Sequence, residues 1–139
     1  MILVDSNVWI DVLQRDPVWM DWSLDQLALA AQSHKLAINP VICAELAANF
    51  DTHAQLLAFI KTSQTKILPV STECAYLAGQ AHLKYRKIKR NDPITEPKMV
   101  GVLADFFIGA QAQSEGIALL TRDAARYKTY FPTVQLICP

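Results

Sequence analysis

Ile2-Leu3-Val4-Asp5-Ser6-Asn7 decides how the rest of the chain is read. Three apolar residues form a short run of strand type. Asp5-Ser6-Asn7 then stop it with turn and N-cap residues, and a helix over 7–13 follows. The same strand-then-helix unit recurs downstream. A helix over about 17–33 carries Trp19, Trp22, Leu27, Ala30 and Ala31 on one broad apolar face. Leu36-Ala37-Ile38 is a second strand, stopped by Asn39-Pro40, and Pro40 suits the first position of a helix over 40–49. A helix over 52–62, a strand over 67–70 and a helix capped by Thr72 and running to about Lys87 come next. Residues 90–97 contain two prolines and read as a loop. A very apolar helix then runs from near Pro97 to about Ser114, where Glu115-Gly116 end it. Residues 117–120 make a fourth strand, Asp123 can cap a short helix to about Tyr130, and 134–137 make the last strand.

Strands alternating with helices imply an α/β fold with a mostly parallel sheet. In such sheets ligands lie beyond the carboxyl ends of the strands. No repeat, low-complexity tract or linker divides residues 1–139, and 139 residues suffice for one domain with one core. A hydrophobic content of 52% against 19% charged residues excludes disorder. No apolar run approaches the ~20 residues of a membrane span, and no secretory leader pattern opens the chain. Cys43, Cys74 and Cys138 are far apart among apolar neighbours, as in reduced thiols of a cytoplasmic protein. His34, His53 and His82 lack zinc-ligand spacing. Thirteen basic and thirteen acidic residues cancel, which argues against a generally basic nucleic-acid-binding surface. The balance hides an asymmetry: residues 1–51 hold seven acids and two bases, residues 52–139 six acids and eleven bases.

Four carboxylates stand out. On a helical wheel at 100° per residue, Gly101, Val102, Ile108, Gly109 and Ala112 lie within about 60° of Asp105, and none is polar. A carboxylate on such a face must be neutral, paired or bound to a cation. Arg122 and Lys98 are its candidate structural partners. Glu45 repeats the pattern among Val41, Ile42, Ala48 and Asn49. Asp5 follows the first strand and Asp123 the fourth, positions that a helix N-cap also explains. The joint occurrence points to one shared hard cation, Mg2+ or alternatively Mn2+. Asp11, Asp16, Asp21 and Asp25 read as solvated helix charges. Trp9, Trp19 and Trp22 read as core or interface, and Tyr85, Tyr127 and Tyr130 as core packing rather than base-stacking platforms.

Val-Asp-Ser-Asn-Val-Trp-Ile-Asp (4–11), the Glu of Ile-Cys-Ala-Glu-Leu (42–46), Asp-Phe-Phe-Ile-Gly-Ala-Gln-Ala (105–112) and Leu-Leu-Thr-Arg-Asp (119–123) resemble the four acidic motifs of PIN-domain nucleases. They are most similar to the VapC-like toxins of type II toxin–antitoxin pairs. The resemblance implies a single-domain PIN-like fold with a five-stranded sheet in the order 3-2-1-4-5. It implies an acidic site of Asp5, Glu45, Asp105 and Asp123, supported by Thr121 and by Ser6 or Asn7. It also implies metal-dependent endonucleolytic cleavage of RNA, a small antitoxin that blocks the site, and a homodimer.

The mechanism expected is hydrolysis of an RNA phosphodiester by water activated on the metal. Asp5 and Asp105 would be direct ligands. Asp123 would complete the site or hold a second ion, and Glu45 would bind the metal through water or orient the nucleophile. Lys84, Arg86, Lys87, Lys89 and Arg90 put five bases in seven residues, as a phosphate track or as a solvated helix end. Arg122, Arg126 and Lys128 are a second basic candidate nearer the site. The main rival is a non-catalytic PIN-like module that binds RNA or protein. A receiver-like phosphoacceptor domain is a poorer fit, because Asp5-Ser6 supplies one acid where that fold pairs two.

Overall fold

Val4, Leu3 and Ile2 lie at the centre of the sheet, with no side chain more than 3% exposed. In a computed structural model describing residues 1–90 and 102–139, they form β1 (Ile2–Val4). A strand buried on both faces needs apolar residues at consecutive positions, which is why the run lacks alternation. β1 pairs in parallel with β2 (Leu36–Ile38) on one side and β4 (Ala118–Leu120) on the other. β3 (Lys66–Ile67) and β5 (Leu136–Ile137) close the edges, giving the expected order β3-β2-β1-β4-β5. Both edge strands are shorter than the apolar runs predicted. The edge residues Lys66 and Ile67 are exposed, so apolar content there does not reflect burial.

Helices connect the strands. They are α1 (Ser6–Leu13), α2 (Met20–Ser33), α3 (Pro40–Leu46), α4 (His53–Thr62), α5 (Thr72–Arg90), α6 (Val102–Glu115) and α7 (Ala125–Tyr130). Asn39 caps α3 by accepting from the Ile42 N–H at 2.8 Å, with Pro40 in the first turn as expected. The predicted helix over 40–49 ends in a 3-10 turn, Ala47–Asn49. The cap of α5 is Ser71, whose hydroxyl accepts from the Cys74 N–H at 3.1 Å, rather than Thr72. The predicted loop beyond Arg90, the helix start near Pro97 and Lys98 fall outside the described residues. All three cysteines are free, as expected. Among the described residues no helix is long and apolar enough to cross a membrane.

α6 packs on α5, α3 and α7. Phe106, Ile108, Ala110 and Ala112 are fully or almost fully buried along it. Gln111 is buried too, because its amide donates to Pro69 O and accepts from Asn39 Nδ2. At Gly109 the backbone meets the Phe131 ring so closely that a Cβ would overlap it. Phe131 is 2% exposed, so its ring is enclosed by the core rather than free to swing into solvent. Gly109→Ala is therefore expected to cost about 1–3 kcal/mol, read as a lower midpoint in urea unfolding.

Candidate active site

Asp5 stands at the carboxyl end of β1, in the N-cap position of α1, yet its side chain makes no capping bond. Its carboxylate turns to the end of β4 instead. Oδ2 accepts from the Thr121 hydroxyl at 2.8 Å, from Asn7 Nδ2 at 3.0 Å and from the Tyr127 hydroxyl at 3.0 Å. Among the described residues, the one side-chain donor to Oδ1 is the Ser6 hydroxyl, at 3.3 Å. Oδ2 is thus saturated, and Oδ1 keeps lone pairs for another ligand. Asn7 is fixed in turn, because its Oδ1 accepts from the Arg122 N–H at 3.3 Å and its Nδ2 also reaches Thr121 Oγ1 at 3.1 Å. Ser6, Asn7 and Thr121 therefore support Asp5.

Glu45, on α3, and Asp105, on α6, face the same place. Glu45 is half-buried, and its Oε2 is buried with no hydrogen-bond partner among the described residues. Burial raises its pKa; Ser6 opposes the rise and the Asp5 charge adds to it. Asp5 is also raised, chiefly by burial, with its hydrogen bonds pulling the other way. Asp105 is pushed up to about 6 by burial and by the charge of Asp5, against the pull of Arg126. Carboxylates that raise one another's pKa lack a sufficient counter-charge. Asp123 differs: it is exposed, and its backbone N–H donates to Thr121 Oγ1 at 3.1 Å. It does not cap α7, whose N-cap is Ala124. The structure thus brings three of the four predicted acids together and leaves Asp123 at the rim.

The ion pairs differ from the expected ones. Asp105 pairs with Arg126, on α7, rather than with Arg122; Lys98, the other partner expected, lies outside the described residues. Arg122 binds Asp11 at 2.8 Å and lies over the Trp19 ring, with its Cζ 5.7 Å from the centroid. Asp11 is not a solvated helix charge: it is 1% exposed and also accepts from the Ser23 hydroxyl at 2.9 Å. Asp16 accepts from the Val18 and Trp19 N–H groups, while Asp21 and Asp25 are exposed as expected. Lys84, Lys87 and Arg90 are exposed on α5, and Arg86 and Lys89 are half-buried. Lys89 Nζ lies 5.9 Å from the Tyr85 ring centroid, which Arg126 also approaches.

Tyr127 is the functional residue that the sequence reading missed. It is 2% exposed, as core packing requires, but its hydroxyl is spent on Asp5. Burial and the surrounding carboxylates push its pKa well up, so it serves as a neutral donor.

A divalent cation suits this donor set. The ligands are hard oxygens, Asp5 Oδ1 is under-used and Glu45 Oε2 is buried without a partner. Among the described residues no three Asp, Glu, His or Cys side chains already form a ligand cluster, and Asp105 is paired with Arg126. The raised carboxylate values fix a pH dependence. A carboxyl held near 6 in the fold and at 3.8 in the unfolded chain is protonated more readily when folded. It contributes most to stability below about pH 4, and that contribution is lost as pH rises through about 6. For Asp105 the loss is about 2 kcal/mol after solvent screening. Cation binding requires the ionised form, so the rise in melting temperature with Mg2+ is expected to be larger at pH 7.5 than at pH 5. An equal rise at both would contradict these assignments.

The arrangement of acids at the carboxyl ends of β1 and β4 agrees with a family comparison. The model of the PIN domain family matches residues 2–132. The chain belongs to the PIN domain family. Several solved structures share its fold. A chain of VapBC2 from Rickettsia felis, solved with a DNA fragment from their promoter, is 20% identical with a TM-score of 0.67, covering 99% of this chain and 98% of that one. A toxin–antitoxin complex from Klebsiella pneumoniae gives 21% identity and a TM-score of 0.65 over 96% and 95%. VapC20 from Mycobacterium tuberculosis, a toxin cleaving the sarcin–ricin loop, gives 15% and 0.57 over 97% and 99%. A search of curated proteins finds no match.

Proposed function

We propose that this PIN domain is a metal-dependent endoribonuclease, the toxin of a toxin–antitoxin pair. The observation that carries the reading is the asymmetry of Asp5: one oxygen tied by three donors, the other holding only the long Ser6 contact among the described residues, with Glu45 and Asp105 near enough for the three charges to act on one another. Family membership and the toxins among its structural neighbours support it. Asp5 and Asp105 would hold Mg2+, or Mn2+ in its place. Asp123 would join them by rotating inward from the rim. The cation would supply a Lewis acid that lowers the pKa of the attacking water and offsets charge on the phosphate. Glu45, with its raised pKa and partnerless oxygen, would orient that water and take its proton. Tyr127, Thr121 and Asn7 keep Asp5 in one rotamer. Arg126 pairs with Asp105 and shares the Tyr85 ring with Lys89, and Lys84, Arg86, Lys87 and Arg90 would extend a basic surface along α5 for the RNA backbone. Arg122 is committed to Asp11 and takes no part in that track. The partner is an antitoxin that covers the acidic site, and the working unit is a homodimer in the cytoplasm.

The test is incubation of purified protein with single-stranded RNA. Cleavage is expected with Mg2+ or Mn2+, and none with EDTA or in Asp105→Asn. A folded protein that binds RNA without cutting it under any of these conditions would favour a non-catalytic binding module.

A further inference from the structure

Arg122 and Arg126 lie four residues apart, and each pairs with an aspartate, but the two pairs are built differently. Arg122 closes on Asp11, which is 1% exposed and held by Ser23 as well. Opening that pair would strand a buried charge. The side chains of Arg126 and Asp105 are 32% and 27% exposed, so either can meet water when they part. Arg126 also has a second seat. It borders an open groove of about 300 Å3 between α5 and α7, lined by Tyr85, Ile88, Lys89, Thr129 and Tyr130. Its guanidinium already lies 5.7 Å from the Tyr85 ring centroid, and Lys89 reaches the same ring. A guanidinium can slide across an aromatic face without losing its stacking. Two cations over an aromatic floor, beside a candidate catalytic carboxylate, match a phosphodiester backbone with a base against the groove.

We propose that Arg126 is an exchangeable counter-ion: it holds Asp105 when the site is empty, and releases it to a divalent cation to grip the RNA phosphate from the groove. The second step rests on the nuclease reading above. The first does not, because a guanidinium and a divalent ion compete for the same carboxylate oxygens whatever the substrate.

The two steps predict opposite signs for one variant. Mn2+ alone, titrated calorimetrically into Arg126→Ala at pH 7.5, is expected to bind about tenfold more tightly than to wild type. At saturating Mn2+ the same variant is expected to lose about 100-fold in kcat on a single-stranded oligoribonucleotide. Arg126→Lys, which keeps the charge but not the planar fork, should fall between wild type and alanine in both. A residue that merely supported the fold would weaken metal binding and activity together. Mn2+ affinity unchanged or reduced in Arg126→Ala, beside intact wild-type cleavage, would overturn the exchange. Tighter Mn2+ binding with undiminished kcat would overturn the phosphate role. Wild-type protein that binds Mn2+ but cuts no RNA would contradict the nuclease reading and the phosphate role with it.

Discussion

Asp5→Asn is expected to reduce RNA cleavage by about a thousandfold or more while leaving the fold intact. The hydrogen bonds fix the reason. Thr121, Asn7 and Tyr127 all donate to Oδ2, so an asparagine must place its carbonyl oxygen there. Its NH2 group then occupies the position of Oδ1 and presents a positive edge where the proposed cation would bind. The substitution thus removes a charge and replaces an acceptor with a donor. Stability should move the other way. Burial penalises the Asp5 charge, so a neutral isostere should melt at the same temperature as wild type or higher at pH 7.5. Loss of activity with a preserved or raised melting temperature separates a functional carboxylate from a structural one.

Asp11→Ala should do the reverse. Asp11 receives Arg122 Nε at both oxygens, at 3.0 and 2.8 Å, and the Ser23 hydroxyl at 2.9 Å. Removing it leaves a buried hydroxyl and a half-buried guanidinium without their acceptor. Arg122 retains some access to water, so the expected cost is about 3 kcal/mol. Denaturant unfolding checks the figure. A change below about 0.5 kcal/mol would show the pair to be no stronger than an exposed ion pair. Activity should fall less than stability, because the Arg122 side chain is spent on Asp11, and the N–H that Arg122 gives to Asn7 belongs to the backbone.

These two aspartates mark the reach of sequence reasoning here. Asp5 was legible because it ends a run whose uninterrupted apolar character places it at a strand's carboxyl end. Asp105 was legible because its wheel neighbours Val102, Ile108, Gly109 and Ala112 are all buried in the fold. Asp11 was not: its partners Ser23 and Arg122 come from α2 and from the turn after β4, and long-range pairing leaves no local pattern. Tyr127 failed for a related reason. A buried tyrosine packs like phenylalanine, and only the tertiary placement of its hydroxyl shows that it serves Asp5. Asp123 was read by position alone. Its backbone N–H donates to Thr121 Oγ1, and the residue is exposed. The sheet order came from the resemblance, since strand periodicity does not specify which strands are neighbours. The short β3 and β5 show that edge strands contribute too few buried residues to announce their limits.

Neutral net charge at first opposed a nucleic-acid enzyme, but its distribution offers an explanation. The charges of Asp5, Glu45 and Asp105 act on one another, Arg126 pairs with Asp105, and Lys89 shares the Tyr85 ring with Arg126.

The most direct test is anomalous scattering from crystals of the protein soaked in Mn2+. The account predicts one peak within coordination distance of Asp5 Oδ1, bordered by Asp105 and Glu45, with Asp5 Oδ2 still bonded to Thr121, Asn7 and Tyr127. A Mn2+ bound at Oδ2, or no peak among these carboxylates at saturating Mn2+, would contradict it.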